Sequence, residues 1–302
     1  VLDVGVKMAG FGSAYENKKS QEEIDEMTEA AVAAAKETDK VVMCIGEHMV
    51  QTGEGASRGE LTIPEGQLRL LRKVAEVNDN LAVVLFGGRP VDLREVKELA
   101  KAILVVWMPG TEGGNAIADV LYGNAVPGGK LPMSFPYCVG QVPVHYAEFN
   151  TGRHFETSQP DNRFQSRYLD IPNAPLYPFG YGLDYSEFSY GDVCLSSDVL
   201  NRGGTITAKA TVKNIGEKKA TEVVQLYIRD DKGSVVRPVR ELKGFEKIQL
   251  EAGEEKEVSF VINEDMLKFH DINMDFVAEA GTFTVYIGGD STTENQATFV
   301  LK

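Results

Sequence analysis

The sequence predicts an α/β protein, a sandwich built on a mostly parallel sheet, followed by an all-β sandwich of fibronectin type III-like character. Three observations carry that reading. Short apolar runs alternate with amphipathic helical stretches up to about residue 122, which calls for a parallel sheet with helices on both faces. Prolines, glycines and aromatics then crowd together from Pro127 to Pro178, where little periodicity survives. From Glu187 onward the hydrophobic period becomes two, with turn residues at regular intervals.

The chain opens in VLDVGVKMAGFG, without an initiator methionine, and reads as an excerpt continuing from a strand and turn upstream. Ser20 followed by Glu23 forms a capping box ahead of a helix running to about Glu37, with Ile24, Met27, Ala31 and Ala34 at helical spacing. Strand Val41–Ile45 follows. A second helix, Glu65–Val77, buries Leu68, Leu71, Val74 and Ala75, and Asn78–Asn80 turns into strand Leu81–Phe86. Gly87, Gly88 and Pro90 end that strand. A short helix from about Leu93 to Leu99, strand Ala102–Trp107 and helix Gly114–Tyr122 complete the alternating region. The domain boundaries expected are 1–140 for the α/β sandwich, 141–186 for an aromatic-rich connector and 187–302 for the β-sandwich.

With 302 residues and 43% hydrophobic content, two packed cores are within reach. The apolar runs are too short to cross a bilayer, and the first residues lack a signal-peptide pattern. A formal net charge of -14 argues against nucleic acid as a partner, because phosphate binding needs clustered Lys and Arg. Cys44, Cys138 and Cys194 lie in or near apolar runs and read as buried thiols, not as a disulfide framework. The four histidines show no ligand spacing, so no metal is expected, and PGTEGG at Pro109–Gly114 fits neither nucleotide-loop pattern.

The stretch of chemical interest is Gly46–Gln67, GEHMVQTGEGASRGELTIPEGQ, a loop leaving the carboxyl end of a buried strand, where ligands bind in open α/β sheets. Glu54 stands between Gly53 and Gly55, which let the backbone bend and present one carboxylate. Glu47, Glu60 and Glu65 share the stretch, most glutamates are solvated surface groups, and spacing does not choose among them. Glu65, after Pro64, suits the first turn of a helix. Arg58 reads as a partner that fixes the loop. In the connector, Tyr146, Phe149, Phe155, Phe164, Tyr168 and Tyr177 suit domain packing more than a sugar platform, with Arg153 and His154 the exceptions expected to touch ligand.

Several motifs together resemble glycoside hydrolase family 3 β-glucosidases over the whole chain: GRPVDL at Gly88–Leu93, WMPGTEGGNAIADVLYG at Trp107–Gly123, PGGKLPMSFP at Pro127–Pro136, GQVPVHY at Gly140–Tyr146, NTGR at Asn150–Arg153, PLYPFGYGLDYSEFSY at Pro175–Tyr190 and RPVRELKGFEKIQLEAGE at Arg237–Glu254. The resemblance implies a (β/α)8 barrel carrying the aspartate nucleophile, an α/β sandwich whose mobile loop supplies the general acid/base glutamate, and often a fibronectin-like domain. EGASRGELTIP matches the acid/base segment with Glu54 in that place. It implies a retaining exo-acting β-glucosidase acting on a β-glucoside or oligosaccharide, with β-xylosidase as the near alternative, no cofactor, and a homodimer as a compatible assembly. No barrel of roughly 200 residues lies in this chain, so little hydrolysis is expected of it alone. The competing class is a noncatalytic carbohydrate-binding or assembly module. Thiols suit the cytoplasm, whereas many bacterial relatives are exported to the periplasm or medium, which leaves the compartment open.

Overall fold

The computed structural model describes residues 19–48, 51–153 and 164–302. The chain divides into two compact units, one reaching to Ile117 and including Pro136–Gly140, the other formed by Ala118–Phe135 with Gln141–Lys302.

In the first unit, helix α1 (Gln21–Lys36) begins at a complete capping box. The Ser20 hydroxyl accepts from Glu23 N–H at 3.2 Å, and the Glu23 carboxylate accepts from Ser20 N–H at 2.7 Å. Strand β1 (Val41–Gly46), helix α2 (Glu65–Ala75), strand β2 (Leu81–Phe86), helix α3 (Arg94–Leu99) and strand β3 (Ala102–Trp107) follow. The three strands form a parallel sheet in sequential order, joined by crossovers of the kind that is right-handed in nearly all sheets. Such crossovers put α2 and α3 on one face, where α1 packs on α2 and α2 on α3. Leu71, Val74, Leu81, Val83, Leu85 and Val96 form the core there. Helix α4 (Gly113–Leu121) ends the alternating region.

The burial of β1 corrects the reading of the cysteines. Ile45 is 3% exposed, while Val42, on the opposite side of the pleat, is 50% exposed and Cys44 is exposed with it. A strand alternates its side chains, so an apolar run does not make every member buried. Cys194 is also exposed, on the opposite side of its strand from Leu195, which packs against the core, and Cys138 is half-buried.

In the second unit, the proline- and glycine-rich connector is held by backbone pairing. Phe135 N–H donates to Tyr177 C=O at 2.9 Å, Leu131 N–H to Tyr181 C=O at 2.8 Å and Gly180 N–H to Leu131 C=O at 2.8 Å. Phe135 is fully buried against the Tyr177 ring. Tyr146 stacks on Phe179 at 4.3 Å and meets Tyr227 edge-on at 5.9 Å. Phe149, Phe164 and Tyr168 stay largely exposed. The connector aromatics therefore split between packing and surface, and Phe155 lies outside the described residues.

The β-sandwich runs through β4 (Phe188–Tyr190), β5 (Cys194–Leu195), β6 (Val199–Leu200), β7 (Thr205–Asn214), β8 (Ala220–Asp230), β9 (Glu241–Leu250), β10 (Glu255–Asn263), β11 (Phe269–His270), β12 (Phe276–Val277), β13 (Gly281–Gly288) and β14 (Gln296–Leu301). One sheet orders β10-β7-β4 with β5 on β7, the other β6-β14-β13-β8-β9. Leu226, Ile228, Val258, Ile262, Phe283, Val285 and Phe299 pack between them, and the alternation of β7 shows which face turns inward. No described helix is long and apolar enough to cross a membrane.

Candidate functional site

At Gly46 the chain leaves β1 with φ +143°, and a Cβ there would stand 1.8 Å from the Phe86 carbonyl oxygen, so only glycine fits. The Gln67 side chain, from the first turn of α2, closes this point. Its amide oxygen accepts from Gly46 N–H at 2.8 Å and its amide nitrogen donates to Gly46 C=O at 3.0 Å. Both ends of the intervening loop are thereby fastened to the sheet edge.

Glu54 is exposed at the tip. Ala56 N–H donates to Gly53 C=O at 3.2 Å, closing a turn with Glu54 and Gly55 at its centre. Gly53 has φ +96° and Gly55 φ +72°, conformations that L side chains rarely adopt. The Glu54 carboxylate makes no hydrogen bond or ion pair with any described residue. The turn thus holds the backbone and leaves the carboxylate open to whatever approaches.

The base of the loop is organised by Glu47, whose side chain is 1% exposed. Arg58 Nη1 donates to its Oε1 at 2.8 Å, and Arg89 Nε to its Oε2 at 3.1 Å. Each guanidinium also reaches backbone: Arg89 Nη2 donates to Gln51 C=O at 3.0 Å and Ala56 C=O at 2.9 Å, and Arg58 Nη1 to Thr62 C=O at 3.1 Å. A guanidinium suits this task because its fork of donors serves a carboxylate and carbonyls together. The returning strand of the loop pairs with the segment after β2, where Asp92 N–H donates to Leu61 C=O at 2.6 Å.

Arg58 therefore meets Glu47 and the loop backbone rather than Glu54. Arg153 lies in the second unit, exposed in a turn whose carbonyl accepts from Ser166 N–H at 3.0 Å. His154 lies outside the described residues. Among the described residues no group of three or more His, Cys, Asp or Glu is placed to hold a metal ion. Neither Glu47 nor Arg89 stands out in the sequence. Their signal was faint: a carboxylate immediately after a buried strand, and an arginine 42 positions away in the turn after the next strand.

Comparison with known proteins agrees with this architecture. The model of the glycosyl hydrolase family 3 C-terminal domain matches residues 5–185, and that of the fibronectin type III-like domain matches residues 222–291. A periplasmic beta-glucosidase of Salmonella typhimurium is 48% identical over 91% of this chain, which spans 36% of that protein. A beta-xylosidase of Formosa agariphila is 38% identical over 90% of this chain, again spanning 36% of the relative. Among solved structures, the beta-glucosidase from Listeria innocua in complex with glucose superposes with a TM-score of 0.87 at 39% identity, covering 94% of this chain and 39% of that one. The chain thus spans little more than a third of the length of the relatives it matches. A family model over more than half of the chain, and this identity across nearly all of it, show that the chain belongs to glycoside hydrolase family 3, as that family's C-terminal domain with a fibronectin type III-like domain after it.

Proposed function

We propose that this chain is the acid/base-bearing portion of a retaining, exo-acting β-glycosidase that removes terminal non-reducing β-D-glucosyl residues. The observation that carries the reading is the Glu54 loop: a carboxylate unpaired among the described residues, at a glycine-flanked tip above a base fastened by Glu47, Arg58, Arg89 and Gln67. Residues 1–140 form the sandwich with this loop, 141–186 the connector and 187–302 the fibronectin-like domain. Arg58 supports the loop, and Arg153 and His154 serve as substrate contacts. The partner within the enzyme is a (β/α)8 barrel holding the nucleophile.

Retaining hydrolysis needs two carboxyl groups about 5 to 5.5 Å apart. In the first step the protonated Glu54 gives its proton to the glycosidic oxygen as the barrel's carboxylate attacks the anomeric carbon and the leaving group departs. In the second, the Glu54 carboxylate takes a proton from the water that displaces the enzyme ester. Burial and a neighbouring carboxylate each help a carboxyl keep the proton that a general acid must give. Glu54 is exposed in this chain, and the barrel supplies both, so the chain alone is inactive.

The test is hydrolysis of 4-nitrophenyl β-D-glucopyranoside by this chain and by the full-length protein, each with Glu54 intact and as Glu54→Gln. Activity is expected only in the intact full-length protein, and azide restores the variant with a leaving group that needs no proton. Hydrolysis at an enzymatic rate by the isolated chain sinks the half-site reading. Sugar affinity in the isolated chain with unchanged activity in Glu54→Gln would favour a noncatalytic binding module. The similarity to a beta-xylosidase supports a second specificity, which the matching xyloside decides in the same assay.

A further inference from the structure

We infer that Glu47 and Arg89 are positioning residues for Glu54, acting through the loop backbone and never touching substrate. The inference rests on Glu54 being the acid/base. Among the described residues Glu54 has no partner that would place it, and its neighbouring glycines leave the tip without side-chain restraint, since a Cβ at Gly53 or Gly55 would meet nothing within 4 Å. The position of the carboxylate is therefore set where the flanking backbone is gripped. Those grips are the carbonyls of Gln51 and Ala56, on either side of Glu54 and both held by one Arg89 nitrogen, and the carbonyl of Thr62, held by Arg58.

What aims both arginines is the single carboxylate of Glu47, one oxygen to each. Glu47 is itself fixed to the sheet, with its N–H donating to Phe86 C=O at 3.1 Å. Arg89 is placed by the turn after β2, where a Cβ at Gly88 would stand 2.6 Å from Thr52 Oγ1 and 3.1 Å from Met108 Cε. The chain of restraint thus runs from strand end to carboxylate, to guanidinium, to loop carbonyls, to acid/base. Lysine at position 89 keeps the charge but is a point donor without the planar fork that spans a carboxylate and two carbonyls.

A group that acts by placing the acid/base has a kinetic signature that a merely structural group lacks. The penalty for misplacing a proton donor grows as the leaving group becomes harder to expel unprotonated, and displacement of about 1 Å costs on the order of a hundredfold. The experiment uses the full-length protein with β-glucosides of graded leaving-group acidity, from 2,4-dinitrophenol to an alkyl alcohol. Glu47→Gln is expected to lower kcat/KM by roughly ten- to a hundredfold for the alkyl glucoside while the dinitrophenyl glucoside changes little. Adding it to Glu54→Gln is expected to cost nothing more. Arg89→Lys, which retains the charge beside Glu47, gives the same pattern and serves if Glu47→Gln does not fold. An equal loss on every substrate, or a loss that multiplies with that of Glu54→Gln, overturns the inference while leaving Glu54 in its role. If Glu54→Gln itself shows no leaving-group dependence, it is the acid/base assignment that fails.

Discussion

Glu47 and Glu222 are both buried carboxylates paired to cations, yet their surroundings give them different work. Glu47 faces two guanidinium groups that also bind backbone, so both ion pairs of its carboxylate among the described residues continue into a loop. Glu222, on β8, faces one amine: Lys130 Nζ lies 3.1 Å from its Oε1 and donates to Gly182 C=O at 2.9 Å, which ties the connector to the β-sandwich. Burial pushes the Glu222 carboxyl above the usual range, with Lys130 and the Tyr190 hydroxyl pulling the other way. Burying a carboxylate is costly in both places, and the geometry of the partner decides whether the expense yields an oriented loop or a lock between segments.

Removing the carboxylate of Glu47 is expected to have the largest effect. Glu47→Ala leaves two arginines facing each other at a site where the carboxylate is 1% exposed, and breaking such a pair costs about 3 to 5 kcal/mol. Urea unfolding of this chain, followed by a probe in the first unit, reads it. A loss below about 1 kcal/mol would mean that water replaces the carboxylate readily and that the network is a surface feature.

Lys130→Met is expected to cost about 2 to 4 kcal/mol at neutral pH and distinctly less near pH 5. The sign follows from Glu222, whose folded carboxyl holds its proton more tightly than the unfolded one. Stability from that group is greatest below the unfolded value, near 4.5, and declines as pH rises towards the folded value. Without Lys130 the decline steepens, because the bare carboxylate has lost its cation. A cost that does not change with pH would show that Lys130 acts by packing alone.

A smaller effect is expected at Gly55, where φ is +72° in open space. Gly55→Ala costs about 1 to 2 kcal/mol of local turn stability. Because the tip is exposed, little of it reaches the global unfolding free energy of this chain. The change should appear instead as a lower kcat in the full-length protein. A global loss as large as that of Glu47→Ala would erase the distinction between tip and base.

The alternating region was open to reading from local chemistry. The capping box at Ser20, strand Leu81–Phe86 and strand Ala102–Trp107 are where patterning put them, because each records a preference between residues one to four positions apart. The same holds for β7, β8, β10 and β13, whose period of two is visible at once. Misreading arose where burial depends on the side of a sheet: Cys44 belongs to an apolar run and still faces outward.

The sequence by itself determined the order of elements, the change from α/β to all-β architecture, and the glycine-flanked carboxylate that sets Glu54 apart. Only the tertiary structure decided that Glu47, one of four glutamates in the same stretch, is buried, and that it gathers arginines from 11 and 42 residues away. Period and capping are short-range and leave a trace in neighbouring letters. A buried ion network is chosen by which loops converge at a sheet edge, and its members leave no pattern along the chain until the strands are laid side by side.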